Sequence, residues 1–251
     1  MRVVSGYEPI FAQIGLDARG VFERAEVRVW RSLPDRENAT LDVPQQQGPP
    51  LRFHVKRYPR RNAQAAAAEV RGIRLLERAG IPTVPLAAWG VLSDGRSFLI
   101  SEDLAGYRAA DRMVADGYDF DRLLLPTAEL AARLHGAGLH HRDLYLCHFF
   151  VKAENGAADV RLIDAARVRP LPWLLRRRWI VKDLAQFWYS MLLLNIEVEQ
   201  RSEWLGTYAQ ARGMVAAERL GRAVQRKAAW IGRHDEGLRR AQPQRNISIP
   251  D

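Results

Sequence analysis

The first part of the chain alternates between apolar and polar residues in short runs, which is the pattern of half-buried β-strands. The alternation is clearest in residues 25–30 and 51–55, and two more strand-like runs cover residues 84–91 and 97–101. The turn residues Ser93-Asp94-Gly95 separate the last two runs. Lys56 directly follows the run 51–55, on the face opposite its apolar residues.

One amphipathic helix is predicted within this strand-rich part, over residues 63–79. Apolar residues recur there at helical spacing, at Ala66, Val70, Ile73 and Leu76. Asn62 is the predicted N-cap, and Gly80 is predicted to end the helix. Glu69 lies at the edge of the apolar stripe, where a carboxylate needs a cation to offset its desolvation.

The second part of the chain is predicted to be mostly helical. Helices are expected over residues 126–135 and from 179 to 238, and short strands at 149–151 and 160–163 flank a turn at 154–156. The fold class is therefore α+β, with a strand-rich N-lobe at residues 1–105 and a helical C-lobe at 106–241. Residues 242–251 are predicted to be a flexible tail.

The net charge and the cysteine content limit the kinds of partner and the cellular compartment that we expect. The net charge of +9 favours an anionic partner, unless it only reflects an arginine-rich composition. A single cysteine, Cys147, excludes a disulfide within the chain and fits a reducing compartment. The first 14 residues lack the apolar core of a signal peptide, and no apolar run is long enough to span a membrane. We therefore expect a cytoplasmic protein, with peripheral binding to a membrane left open.

The most specific motif is His141-Arg142-Asp143 in the loop sequence LHHRDLYLCHFFV. A His-Arg-Asp followed by a short hydrophobic strand resembles the catalytic loop of protein kinases, which implies that Asp143 is the catalytic base and that His141 and Arg142 belong to the catalytic site. The alternative is a buried Asp143 paired with Arg142. Asp164 ends an apolar strand twenty-one residues further on, where kinases place a Mg²⁺ ligand.

Two upstream charges complete the kinase pattern. In kinases a strand lysine contacts the nucleotide phosphates and a helix glutamate fixes that lysine, which corresponds here to Lys56 and Glu69. Other basic residues compete for Glu69, namely Arg52, Arg57 and Arg71. Asp183 is predicted to begin a helix and to brace the backbone of the catalytic loop.

The segments HRDLYLCHFFV, LIDAARV and RRRWIVKDLAQFWYS together resemble the bacterial lipopolysaccharide core kinases, the heptose-kinase group. The resemblance runs over about residues 20–233 and is most specific at Tyr145, Cys147, His148 and Phe149. It implies a protein-kinase-like fold, ATP and Mg²⁺ as cofactors, and a sugar hydroxyl of the lipid-linked core oligosaccharide as acceptor. An anionic inner-membrane surface is a further expected partner.

Several positions depart from ordinary protein kinases. His148 stands where protein kinases have a metal-binding Asn, so it either binds the metal, binds none, or only holds the loop. A separate zinc site is an alternative, from His140, His141, Cys147 and His148. No glycine-rich loop is present, and only Gly20 offers a backbone that phosphate can approach.

The segment between Asp164 and Asp183 is basic and contains no acid and no Ser, Thr or Tyr. The paired N–H donors of an arginine guanidinium group match the oxygens of a phosphate or a carboxylate. Arg176, Arg177 and Arg178 are therefore predicted to bind the acceptor. A solvated arginine face is the alternative. The C-terminal helices carry another basic stretch, with Trp230 nearby, that suits an anionic membrane surface.

Two other functions remain open. A kinase for another substrate, such as a protein, fits the same motifs, whereas a polycationic aminoglycoside would be repelled by the arginine-rich loop. A non-catalytic kinase-like module that binds an anionic surface is the alternative from a different class, although such a module has no need for Lys56, Glu69, Asp143 and Asp164 together. Nucleic acid is not an expected partner.

Overall fold

Two units make up the part of the chain that the computed structural model describes, residues 1–154, 157–214 and 217–241. The first unit comprises residues 1–74, 83–105 and 164–166. The second comprises residues 75–82, 106–163 and the described residues from 167 onward. The turn predicted around residues 155–156 and the tail predicted at residues 242–251 lie outside the described residues.

The first unit is built on a six-stranded antiparallel sheet. Its strands are β1 Arg2–Val3, β2 Arg28–Leu33, β3 Arg36–Val43, β4 Leu51–Tyr58, β5 Leu86–Val91 and β6 Ser97–Glu102. The order across the sheet is β1-β5-β6-β4-β3-β2. Helices α1 Glu8–Gln13 and α2 Gly20–Glu23 belong with it, as do residues 65–74 of helix α3 Ala65–Arg78.

The two faces of β4 separate the apolar core from the polar site. Phe53 and Val55 are fully buried in the core of this unit, together with residues of α1 and α2. Lys56 and Tyr58 alternate with them and point to the other face, as the period of a strand requires. Lys56 therefore lies inside β4, and the strand is three residues longer than predicted.

Helix α3 begins later than predicted, at Ala65. Asn62 is not its N-cap, because it lies in a short 3₁₀ turn at Arg60–Asn62 and its amide donates a hydrogen bond to the Asp35 carbonyl at 3.0 Å. The end of the helix agrees with the prediction. Gly80 has a φ of +64°, the left-handed conformation in which glycine is favoured just after a helix.

The second unit is mainly helical. Its helices are α4 Ala110–Ala115, α5 Asp121–Gly136, α6 Arg176–Leu193, α7 Val198–Ala211 and α8 Ala217–Ala241. Its strands are β7 Arg108–Ala109, β8 Leu139–His140, β9 Phe149–Glu154, β10 Ala157–Leu162 and β11 Arg169–Pro170. Strands β10, β9 and β7 form one small sheet, and β11 pairs with β8.

An aromatic stack holds helices α5, α6 and α7 together. The rings of Phe187 and Trp204 lie 4.1 Å apart and nearly parallel, and Phe149 packs edge-on against Phe187 at 5.1 Å. The indole N–H of Trp204 donates to the Thr127 hydroxyl at 2.9 Å, so burial of the indole leaves no unpaired donor. None of the described helices combines the length and apolarity needed to cross a bilayer.

Candidate active site

The first group of functional side chains lies on strand β4 and helix α3 of the first unit. The ammonium of Lys56 lies 2.5 Å from Glu69 Oε1, so these two residues form the predicted ion pair. Two of the three competing cations are engaged elsewhere: Arg52 binds Asp42, and Arg57 faces Glu37. Glu69 is almost fully buried and also accepts a hydrogen bond from the Tyr58 hydroxyl at 2.7 Å, which fixes its second oxygen.

Asp164 joins this pair. Its Oδ1 lies 3.3 Å from the Lys56 ammonium, and its backbone adopts a left-handed φ of +58° that is rare for a residue with a side chain. Burial of Lys56 disfavours its charged form, but the carboxylates of Asp164 and Glu69 outweigh that effect and raise the Lys56 pKa. The site therefore holds a permanent cation between two carboxylates.

Gly72 on helix α3 allows the backbone after Asp164 to approach the helix. A Cβ at this position would lie 1.8 Å from the carbonyl oxygen of Ala165 and 2.8 Å from its carbonyl carbon. No side chain fits that space without moving the backbone at Ala165. The position of Asp164 on the first unit thus depends on a glycine in the interior of a helix.

In the second unit, helix α6 holds the catalytic loop by its backbone. Both oxygens of Asp183 accept hydrogen bonds, from the His141 amide at 2.7 Å and the Arg142 amide at 2.9 Å. The predicted brace is thus present, although Asp183 lies in the middle of α6 and not at its start. Burial alone would raise the Asp183 pKa, but the bonds from His135 and the loop lower it.

Two more residues of α6 extend this brace. The Gln186 side chain accepts a hydrogen bond from the Leu144 amide at 3.1 Å and donates one to the Arg142 carbonyl at 3.0 Å. The Ser190 hydroxyl accepts a hydrogen bond from the Leu146 amide. Arg142 has a φ of +73°, so these bonds hold the loop in a conformation that a non-glycine residue rarely adopts. The loop is thereby fixed on both sides of Asp143.

The carboxylate of Asp143 is bound by an arginine that follows Asp164 in sequence. Arg167 Nη1 lies 2.9 Å from Oδ1 and 2.8 Å from Oδ2 of Asp143. Arg142, the partner considered from sequence, does not form this ion pair. Since a carboxylate has about four acceptor positions and Arg167 contributes a single nitrogen, Asp143 retains capacity to accept a hydroxyl proton.

The imidazole rings of the loop have structural partners. His141 is fully buried and bonds the Ile163 carbonyl at 3.0 Å, so its ring holds the loop against the strand end before Asp164. His148 Nδ1 bonds the Asp143 carbonyl at 2.6 Å, which places the lone pair of a neutral ring on Nε2. Among the described residues no cluster of three or more metal-binding side chains occurs, so the alternative zinc site does not form there.

The prediction that Gly20 cradles phosphate is wrong. Gly20 is the first residue of the short helix α2, and its amide donates to the Asp17 carboxylate at 2.6 Å. That amide is already satisfied within the chain. Arg176, Arg177 and Arg178, in contrast, are exposed in the first turn of α6, as an acceptor-binding role requires.

Comparison with known proteins agrees with this geometry. The family model of the lipopolysaccharide kinase (Kdo/WaaP) family matches residues 54–208. The chain belongs to the lipopolysaccharide kinase (Kdo/WaaP) family. The match includes Lys56, Glu69, Asp143, Asp164 and Asp183, so it spans both groups of side chains described above.

Curated relatives in the Kdo/WaaP family are lipopolysaccharide core heptose(I) kinases named WaaP. The protein from Pseudomonas aeruginosa is 31% identical over 158 residues, which cover 57% of this chain and 59% of that protein. A protein from Escherichia coli is 31% identical over 119 residues, 43% of this chain and 44% of its own length. The matched regions thus span about half the length of these relatives.

A solved structure in the same family covers nearly the whole chain. The structure described as WaaP in complex with acyl carrier protein superposes with a TM-score of 0.69 at 25% identity, covering 91% of this chain and 98% of that chain. The predicted α+β protein-kinase-like fold and the predicted family are both confirmed. Membership in this kinase family implies ATP as the phosphoryl donor.

Sequence reasoning missed the residues that act through distant contacts. Arg167, Gln186, Ser190 and Gly72 meet their partners only after folding, and His135 supports Asp183 from helix α5 at 3.3 Å. One signal was available: a glycine in the interior of an otherwise regular helix destabilises that helix, which suggests a close approach by another segment.

Proposed function

We propose that this protein is an ATP-dependent kinase that phosphorylates a heptose hydroxyl of the lipopolysaccharide core. The observation that carries the proposal is the group Lys56, Glu69 and Asp164, in which a fixed cation is held between two carboxylates. Phosphoryl transfer depends mainly on positioning and on neutralising the charge of the phosphates, and this group offers a fixed cation for the phosphates and a carboxylate that can hold a metal ion. The family and its curated relatives support the sugar acceptor.

The first unit has the proposed nucleotide-binding role. Lys56 would bind phosphate oxygens while Glu69 and Tyr58 hold the lysine in one orientation. The carboxylate of Asp164 is a ligand of the kind that Mg²⁺ prefers, and 30% of its side chain is exposed, so it fits a metal bound to nucleotide phosphates. His148, which belongs to the second unit, is the other residue for which we propose metal binding. When bound, Mg²⁺ would neutralise charge on the transferred group.

The second unit has the proposed acceptor-binding role. Asp143 would accept or orient the proton of the attacking hydroxyl, while His141 and Arg142 keep the loop in place. Arg176, Arg177 and Arg178 would bind the phosphate or carboxylate groups of the core oligosaccharide. A lipid-linked acceptor would place the protein peripherally on the inner face of the inner membrane.

Substitution of the two aspartates tests this function. Asp143→Ala and Asp164→Ala should each lower transfer of radiolabelled phosphate from ATP to purified lipopolysaccharide by at least about 100-fold, because each removes an interaction specific to the reaction. Asp116→Ala removes an exposed carboxylate from the second unit and should retain full activity. Circular dichroism melts check that all three variants fold.

The same assay separates the rival functions. Transfer to a generic protein substrate but not to lipopolysaccharide would identify a protein kinase. Failure to bind ATP in the presence of Mg²⁺, measured by calorimetry, would instead favour a non-catalytic module. Full activity in either aspartate variant would refute the assigned roles even if the lipopolysaccharide core proves to be the acceptor.

A further inference from the structure

A cavity of about 650 Å³ lies in the second unit between helices α6 and α8, next to the catalytic loop. Six cationic side chains line it and no carboxylate does: Arg142, Arg177, Arg178, Lys182, Arg226 and Lys227. Two tryptophans, Trp179 and Trp230, and the apolar residues Val181 and Ala223 complete its wall. In the proposed reaction Arg177 and Arg178 bind the acceptor and Arg142 keeps the loop in place, whereas Lys182, Arg226 and Lys227 have no assigned role.

None of these six cations makes an ion pair with a carboxylate within the described residues, although arginines elsewhere in the chain do. Four of them, Arg142, Arg178, Lys182 and Lys227, lie against a tryptophan ring instead. The Arg142 guanidinium lies 4.8 Å from the centre of Trp179, and the Lys227 ammonium 3.4 Å from that of Trp230. Arg142 Nε is buried without a hydrogen-bond partner among the described residues, so it is a donor that lacks its acceptor.

Burial and neighbouring cations disfavour the charged form of the two lysines in this cavity. Burial first, and then the charge of Arg167, lower the Lys182 pKa, and burial and Arg178 lower the Lys227 pKa. The first turn of α6 also contains three arginines and no acid, and positive charge at a helix N-terminus is unfavourable. Folding alone therefore gives no reason to collect these charges here.

The chain cannot supply the missing negative charge from the neighbouring loop. Between Asp164 and Asp183 there is no acidic residue, and no Ser, Thr or Tyr that phosphorylation would make anionic. A single carboxylate offers two oxygens, whereas a phosphate group offers three and a charge of up to two, which suits several guanidinium forks. The counter-charge is therefore best supplied by a phosphate from outside the chain.

We propose that the cavity between α6 and α8 binds a phosphate group carried by a ligand, and that this phosphate fixes the side chain of Arg142, the residue next to Asp143. The binding event stands on the cavity alone, while its effect on catalysis rests on the proposed kinase function. Arg142 links the two, since its side chain lines the cavity and its backbone is bound by Asp183 and Gln186.

The residues just before α6 indicate the source of the phosphate. Trp173, Leu174 and Leu175 are 83%, 77% and 44% exposed, and they directly precede the three arginines. Three consecutive exposed apolar residues next to a cationic cluster match the two chemical parts of an anionic amphiphile, its acyl region and its phosphate. A phosphate on a lipid headgroup is thus the favoured source over free phosphate.

Inorganic phosphate is the first probe, titrated into the full chain while tryptophan fluorescence is recorded. The double variant R226A/K227A should bind phosphate about tenfold or more weakly than the wild type, because it removes two charge-assisted contacts. R219A/R233A removes the same charge from exposed positions of α8 outside the cavity and should bind like the wild type. Equal affinity of both variants for phosphate would overturn the proposal.

Binding to lipid vesicles tests whether the phosphate belongs to a lipid headgroup. Flotation with phosphatidylglycerol vesicles should retain the wild type, whereas phosphatidylcholine vesicles should not. A variant with Trp173, Leu174 and Leu175 all replaced by Ser should lose vesicle binding and keep its affinity for inorganic phosphate. Vesicle binding by that variant equal to that of the wild type would show that a lipid is not the source of the phosphate. If the protein binds poly-L-glutamate but no phosphate, the phosphate site is refuted and an acidic protein partner is indicated.

The two proposals fail in distinguishable ways. Loss of phosphate binding in R226A/K227A would support the cavity even if no transfer to lipopolysaccharide is ever detected. Transfer to lipopolysaccharide with no phosphate bound at the cavity would leave the kinase function standing and refute this inference. If both hold, phosphate should raise kcat in the wild type and not in R226A/K227A.

Discussion

At the scale of single residues, Gly72 gives the sharpest prediction. Gly72→Ala places a Cβ 1.8 Å from the Ala165 carbonyl oxygen, so the backbone at Ala165 must shift and Asp164 with it. A small displacement of a reacting group lowers the reaction rate strongly, so we expect kcat to fall by about 100-fold. Steady-state kinetics with lipopolysaccharide and ATP, together with a thermal melt, measure this.

Gly206 on helix α7 provides the matched control for Gly72. No atom lies within 4 Å of the Cβ that Gly206→Ala would add, so this substitution should leave activity unchanged. It should also stabilise the helix by about 0.5–1 kcal/mol, because alanine is the better helix former. Normal activity of the Gly72→Ala variant would show that Asp164 does not depend on the close approach of Ala165 to α3.

His140 gives a prediction about pH and stability. Its side chain is 2% exposed and packs on Trp179, and burial lowers its pKa from 6.5 to about 4. As the pH falls, the unfolded chain therefore binds a proton at His140 at a higher pH than the folded protein does. The free energy of unfolding should decrease by on the order of 3 kcal/mol between about pH 6.5 and 4. His140→Phe should remove this part of the pH dependence.

Chemical denaturation of the wild type and of His140→Phe between pH 4 and 7 measures the difference. Carboxylates titrate in the same range in both proteins, so only the difference between the two curves reports His140. His234→Phe replaces an exposed histidine on α8 and serves as the control. Parallel curves for the wild type and His140→Phe would contradict the assignment.

At the scale of elements, α6 acts as one scaffold for the catalytic loop. Asp183, Gln186 and Ser190 follow one another at three- and four-residue spacing, so one face of the helix binds successive amides of the loop. This face is polar within a buried part of the unit, and each of the three side chains is at most 7% exposed. A buried polar face of this kind is retained for the partners it binds.

Gln186→Met tests the scaffold. The substitution leaves the Leu144 amide without its acceptor, which should cost about 1–3 kcal/mol of stability, and it removes one of the two donors to the Arg142 carbonyl, the other being Lys182. Because the loop carries Asp143, kcat should fall while the KM for ATP stays unchanged. Gln210→Met changes an exposed residue of α7 and should alter neither quantity. A stability loss with unchanged kcat would show that α6 supports the fold only.

The elements that sequence could predict are those whose pattern is complete in a single window. Helix α3 and strand β6 agree with their predicted positions to within two residues, because their apolar periods are uninterrupted. Strand β3 was missed, since it begins with the polar residues Arg36, Glu37 and Asn38 and alternates only afterwards. Its pairing with β4 outweighs that weak local signal.

The candidate site likewise contains residues that a local sequence pattern predicts and residues that only the fold brings together. Lys56 and Glu69 could be paired from sequence because a buried carboxylate requires a cation nearby. The contact of Arg167 with Asp143, and that of Gly72 with Ala165, join residues 24 and 93 positions apart, and no local pattern encodes them. Motif spacing thus identifies the charged groups, whereas the fold determines which other residues hold them.

At the scale of the whole molecule, the chain has a net charge of +9, and its cations differ in whether a carboxylate lies beside them. The first turn of α6 and the cavity beside it carry cations that have no carboxylate partner in the described part of the chain. The Lys56 ammonium, by contrast, lies between two carboxylates. Salt should therefore affect the binding of acceptor and of ATP differently.

Raising the salt concentration from about 0.1 M to 1 M shortens the Debye length from about 10 Å to about 3 Å, which screens exposed charges far more than partly buried ones. We expect the KM for the acceptor to rise steeply with salt and the KM for ATP to change little. The triple variant with Ala at positions 176, 177 and 178 should begin with a raised acceptor KM and respond less to salt, because its exposed guanidinium groups are gone. Steady-state kinetics at a series of NaCl concentrations measure both constants. An acceptor KM with the same salt dependence in wild type and variant would show that these arginines are merely solvated.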